Sequence, residues 1–151
     1  MNKLALILTI ILVGASQIAP AKVKPGMRID PILSSDPQLD DPGYMCSFIR
    51  TKKSYLDVGG GTTSQLIFKI DGKPVVRTLS ETKIKWFQEF GFSVDGVKSS
   101  SGSISVPSYT ISLTRIGKVT EGEDGQSIPA ILKITKVGVS ASLSGAWVCG
   151  G

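Results

Sequence analysis

The sequence predicts an all-β fold, either an antiparallel β-sandwich or an open β-barrel, carrying one disulfide. Three observations predict it. Apolar residues recur with a period of two through most of the chain after Tyr44, the spacing of half-buried strands. Asp71-Gly72 separates two strand-like runs, the composition of a tight hairpin turn. The two cysteines, Cys46 and Cys149, stand near the two ends of the alternating region.

At the N-terminus, Lys3 precedes an apolar run from Leu4 to Val13, and Ala19-Pro20-Ala21 follows with small residues at the two positions a signal peptidase reads. A charged start, a short apolar core and an A-x-A exit make residues 1–21 a secretory signal peptide. The run is too short for a membrane anchor, which needs about 20 apolar residues. No cysteine directly follows the predicted cleavage site, so lipid attachment there is not expected. No later stretch is apolar and long enough to form a transmembrane segment after signal cleavage. The protein is therefore expected in the periplasm or secreted, as one domain by length.

Residues 22–43 are expected to be a flexible linker. They hold Pro25, Pro31, Pro37 and Pro42 with Asp30, Asp36, Asp40 and Asp41 and little aliphatic content. Proline removes ladder donors, and a polar segment buries too little to offset its chain entropy. The acids match no compact calcium loop.

Residues 44–151 form the predicted β domain. Tyr44, Cys46 and Phe48 alternate with Met45, Ser47 and Ile49. Leu66, Phe68 and Ile70 share one face and lead through Asp71-Gly72 into the strand that starts at Lys73. Ile111 and Leu113 oppose Ser112 and Thr114, and Ile128, Ala130, Leu132 and Ile134 share a face. Pro129 suggests an edge or a strand start. The clearest run is the last, with Val137, Val139, Ala141, Leu143, Gly145, Trp147 and Cys149 on one side and Ser140, Ser142 and Ser144 on the other. Residues 80–91 admit two readings. A helix would gather Ile84, Phe87 and Phe90 at offsets of three, with Gly91 at its end, but strand or irregular structure is favoured. Val94 to Ser108 is expected to be a serine- and glycine-rich loop with a turn at Asp95-Gly96. Glu121 and Glu123 are placed at a hairpin tip.

Composition limits the chemistry. The chain has no histidine, which removes Ser-His-Asp triads, Cys-His pairs and imidazole zinc sites. In an oxidising compartment Cys46 and Cys149 are expected to form a disulfide joining the first and last strands. Gly59-Gly60-Gly61 resembles a phosphate loop only superficially. No lysine follows as a P-loop requires, and a strand rather than a helix comes next, so a turn is expected. Asp71, Asp95 and Asp124 precede glycines and are assigned to turns. Asp57, Glu81 and Glu89 remain, and no spacing rule joins them into an acid pair. Of the basic residues Lys69, Lys73, Arg77, Lys83 and Lys85, some would share a face in a hairpin and attract anions, but a solvated sheet face is the default expectation. No catalytic residue, metal ligand or cofactor is assigned. The net charge of +5, one unit of it from Lys3, favours acidic partners without selecting among them, and a soluble surface with a slight excess of lysine is the default expectation. Export makes nucleic acid an unexpected partner.

The stretches "CSFIR", "IFKIDGKPVVRTL", "YTISLTRIG" and "GAWVCGG" together resemble a family of small exported bacterial proteins. That family is marked by Cys-Ser-Phe near the start, Ile-Asp-Gly-Lys at a turn and a terminal Val-Cys-Gly. The likeness spans Cys46 to Gly151. It implies an extracytoplasmic location and a β architecture and brings no activity with it. Some members end in a further cysteine where this chain has Gly151, so any bridge that cysteine makes is lacking here. Periplasmic lysozyme inhibitors are a second comparison, as small disulfide-linked β-barrels. Their Ser-Gly-x-x-Tyr pattern would start at Ser101-Gly102, but the fifth position is Ser105, and Tyr109 falls four places too late. The functional expectation is an exported, non-enzymatic protein that binds an envelope or extracellular protein or polymer, anionic ones being favoured, or that has a structural role there. An inhibitor of a cell-wall lytic enzyme is the first alternative and a histidine-free hydrolase the second.

Overall fold

The computed structural model describes residues 26–41, 43–90, 101–122 and 125–150. The predicted signal peptide, the Asp95-Gly96 turn and the tip at 123–124 lie outside the described residues. The strands are β1 (Ile29–Asp30), β2 (Met45–Arg50), β3 (Lys53–Gly60), β4 (Ser64–Ile70) and β5 (Lys73–Thr78). After α1 (Glu81–Glu89) come β6 (Ser101–Val106), β7 (Tyr109–Arg115), β8 (Thr120–Gly122), β9 (Gly125–Lys136) and β10 (Val139–Gly150).

All ladders are antiparallel and form one sheet in the order β5-β4-β3-β2-β10-β9-β7-β6, with β8 beside the start of β9. The all-β expectation holds, and the sheet is not closed into a barrel. Alternating residues of these strands turn inward. Cys46, Phe48, Leu56, Leu66, Phe68, Ile111, Leu113, Ala130, Leu132, Ile134 and Trp147 are all fully buried in one core. Burying a large apolar side chain stabilises by roughly 1.5–3 kcal/mol, so this period-two pattern holds the register. A one-residue slip would expose the whole set.

Cys46 and Cys149 face each other across β2 and β10 and are bonded. The bridge therefore ties the last strand to the first long one, as expected.

Five sequence expectations are corrected. Residues 81–89 form a helix, since Ile84, Phe87 and Phe90 all find the core and Trp147 Nε1 donates to the Phe87 carbonyl at 3.2 Å. Within the expected loop 94–108, residues 101–106 are β6, with Ile104 and Val106 buried. Pro129 lies inside β9, neither at its start nor on an edge strand. Its carbonyl accepts from Ile116 N at 2.8 Å, so its missing N–H faces the place where the neighbour of β9 changes from β8 to β7. Val137 is in the β9–β10 turn with φ 44° and is almost wholly exposed, so the inward run starts after it.

The fifth correction concerns the expected linker, whose described part, 26–41, is docked on the sheet. β1 pairs with the end of β4 on the side that β3 has left, Ile29 opposite Ile70 and Asp30 opposite Lys69. A register shift in β2–β3 at Phe48/Ile49 accompanies this divergence, and Ile32 N reaches Ser54 O at 2.8 Å. The four acids of the expected linker are the staples. Asp30 accepts from Arg28 and from Gly72 N, the latter at 2.7 Å. Asp36 takes both of its oxygens to Lys69 Nζ at 2.8 and 2.9 Å. Asp40 bonds the Gln65 amide at 2.9 Å, and Asp41 accepts from Thr62 N and Oγ1 at 3.0 and 2.7 Å. Asp36 over Lys69 and Asp40 over Gln65 lay residues 37–39 across the outer face of β4 at Ile67, which is buried outside the main core.

The glycine triplet serves this packing. Gly59 and Gly60 end β3, and the turn is 61–63. A Cβ on Gly60 would meet the Gln88 side chain of α1 at 2.6 Å, and one on Gly61 would collide with the Asp41 backbone. The residues are small because a helix and the N-terminal segment approach there.

Candidate functional site, a cationic seam between the sheet edges

Among the described residues, β5 and β6 are the outermost long strands, each paired on one side only, as are the short β1 and β8. β5 and β6 border one gap: Arg77 of β5 reaches Pro107 O just after β6, and the Trp86 ring of α1 lies so close to Gly102 of β6 that a Cβ there would clash. Free edges present unpaired N–H and C=O groups and invite association.

Each edge is capped from within. β4 and β5 are joined by a two-residue turn with Ile70 opposite Lys73, so Pro74 and Val76 turn their backbone polar groups away from β4. Pro74 has no N–H to offer there. Arg77 Nη1 donates to Val76 O at 2.8 Å, and its Nε reaches Pro107 O in the β6–β7 turn at 3.3 Å. One guanidinium thus stitches both edges. Val106 stands opposite Tyr109 across another two-residue turn, so Ser105 points its backbone into the gap. Lys83 Nζ of α1 donates to Ser105 O at 2.5 Å.

At the rim of this seam stands Tyr109, half-buried, its ring edge-on to Phe68 with centroids 5.0 Å apart. Arg77 Cζ lies 5.9 Å and Lys136 Nζ 5.3 Å from the Tyr109 centroid. Each such cation–ring contact is worth about 0.5–1 kcal/mol at an exposed site, enough to hold the cations close together. Among the described residues the ion pairs are Arg28–Asp30, Lys69–Asp36 and Lys85–Glu89. Arg77, Lys83 and Lys136 have no acidic partner there. Arg77 uses two of its N–H groups in these bonds and has five in all. The cluster can therefore receive carboxylate or phosphate oxygens without surrendering an ion pair.

Of the basic residues singled out in the sequence, Arg77 and Lys83 come together here. Lys69 is taken by Asp36, Lys85 by Glu89, and Lys73 is exposed beside the β4–β5 turn. Tyr109 and Lys136 were missed. Their signal is the strand phase itself, since Tyr109 is one inward step before Ile111 and Lys136 one step after Ile134.

The carboxylates without an assigned role do not gather. Glu81 and Glu89 occupy the first and last turns of α1, both exposed. Asp57, on the outward face of β3, accepts from Ser47 Oγ at 2.6 Å and Ser54 Oγ at 2.5 Å with the same oxygen. Asp71 is in its predicted turn, with φ 49°, and accepts from Arg28 N at 2.9 Å. Among the described residues no group of three His, Cys, Asp or Glu is placed to hold a metal ion, and no helix is long and apolar enough to cross a membrane. Comparison with protein-family models, with curated proteins and with solved structures finds no match.

Proposed function

We propose that this chain is an exported, non-enzymatic β protein, periplasmic or secreted, that recognises an anionic envelope or extracellular partner at the seam of Arg77, Lys83, Tyr109 and Lys136. The observation that carries the reading is three cations without acidic partners among the described residues, two of them set about one aromatic ring. Export is supported by the signal pattern over residues 1–21 and by a bonded cysteine pair, since such bonds persist in oxidising compartments. The likeness to small exported bacterial proteins points the same way. A hydrolytic role gains little from Asp57, whose bonded oxygen already accepts two serine protons and which has no ion-pair partner among the described residues.

The test is calorimetric titration of the oxidised protein, lacking residues 1–21, with short polyphosphate and with polyglutamate at low salt. Binding is expected, weakening as salt screens it, and weakened further by about tenfold in Arg77→Gln/Lys136→Gln. Equal affinity in the double variant would overturn the assignment.

A further inference from the structure

We infer that the anionic partner is an extended acidic polypeptide segment, added as one more strand at Ser103 and Ser105 of β6, which have no strand partner on that side among the described residues; this rests on the anion-recognition reading above and specifies its ligand. The geometry favours β6 over β5. Pro74 removes a donor from the β5 edge, and the Arg77 guanidinium covers the carbonyl of Val76. On β6, Ser103 and Ser105 alternate with the buried Ile104 and Val106 and turn both N–H and C=O into the gap. Their side chains are exposed on the outer face.

Two of the carbonyls at this edge are held by cations in place of strand N–H groups, Ser105 O by Lys83 and Pro107 O by Arg77. An incoming strand offers N–H groups at the strand spacing and can take over the Ser105 carbonyl. Lys83 is then free to pair with a carboxylate of the same strand. Every hydrogen bond given up is replaced, and that of Lys83 passes from a neutral carbonyl to an ionised carboxylate, a stronger pairing. A neutral strand would strand the cation, and a basic one would be repelled. A small anion would meet Arg77 and Lys136 without using the edge. Acidic side chains on a β-forming backbone fit both features.

The probe is a capped peptide of about eight residues alternating glutamate with threonine, sized to the strand it must pair with, beside short polyphosphate as the edge-independent anion. The protein is the oxidised chain without residues 1–21. The wild type is expected to bind both. Ser103→Pro, which deletes an outward N–H, should lose peptide affinity by about tenfold or more and keep polyphosphate affinity. Ser103→Ala controls for the hydroxyl that meets Ser112 Oγ at 2.8 Å and should keep both. Amide exchange in the wild type gives a readout free of mutation, and peptide should slow exchange at Ser103 and Ser105. Unslowed exchange, or peptide binding indifferent to Ser103→Pro, overturns strand addition while leaving anion recognition standing. Failure of the wild type to bind either probe brings down the anion reading itself.

Discussion

Asp36 meets Lys69 at a place where both side chains are largely shielded, with exposures of 11% and 12%. Hydrogen bonds from Lys69, and then from Leu33 N, hold its carboxyl below the usual carboxylate range. Thr62 does the same for Asp41 through its hydroxyl and its N–H. For Asp30 partial burial pushes upward, but the hydrogen bonds from Arg28 and Gly72 N and the charge of Arg28 outweigh it. A carboxyl with a lowered folded value stabilises above its unfolded pKa of about 4. That contribution disappears as pH falls through the lowered values. Thermal melts across pH should therefore show stability falling below about pH 4, with amide protection over 26–41 lost before that of β9 and β10. Asp36→Asn should expose that same segment at neutral pH, seen as faster proteolysis there. None of these staples was legible in sequence, because an ion pair between positions 36 and 69 leaves no mark in local spacing. Acids among prolines look the same whether solvated or docked. A second residue-scale expectation concerns Gly145, where a Cβ would lie 2.5 Å from Ile49 O and 2.9 Å from the Phe48 ring. Gly145→Ala should destabilise by about 1–3 kcal/mol, measured by denaturant unfolding.

At the scale of elements, alternation is plainest in β9, which buries one face, while in β4 Ile67 is buried on the opposite face from Leu66 and Phe68. Ile128, Ala130, Leu132 and Ile134 in β9 are fully buried while Lys133 between them is exposed, so pattern and structure coincide. The helix was harder to read because aromatic and β-branched residues also suit strands. What decides it is tertiary. Phe87 packs 5.8 Å from Trp147, between ring centroids, and the Ser80 side chain supplies no cap. A nine-residue helix is too short to form alone in water. A peptide covering 78–91 should show no helical circular dichroism, and Phe87→Ala in the intact protein should cost about 3–5 kcal/mol in denaturant unfolding. β6 was hidden for the opposite reason, since its serines and glycine resemble a loop and only Ile104 and Val106 reveal an inward face. The seam lay half in view. Arg77 and Lys83 were marked as basic, but their meeting depends on the sheet bringing its two edges to one gap.

For the molecule as a whole, the 103-residue separation closed by Cys46 and Cys149 should confer about 4–5 kcal/mol through the unfolded chain. That is a large part of a usual domain stability of about 5–15 kcal/mol. Reduction should lower the denaturant midpoint markedly, and Cys46→Ala/Cys149→Ala should reproduce it without reductant. The clasp joins β2 to β10 at the centre of the sheet and leaves β5 and β6 as edges, so the covalent framework and the proposed recognition surface are separate. Removing the bridge should therefore weaken folding more than it weakens anion affinity in the molecules that stay folded. The most direct test of the functional account is chemical-shift mapping of the oxidised protein during titration with the glutamate–threonine peptide. The account predicts perturbations centred on Arg77, Lys83, Ser105, Tyr109 and Lys136. Perturbations centred instead on Lys52 and Lys53, where β2 turns into β3, would contradict it.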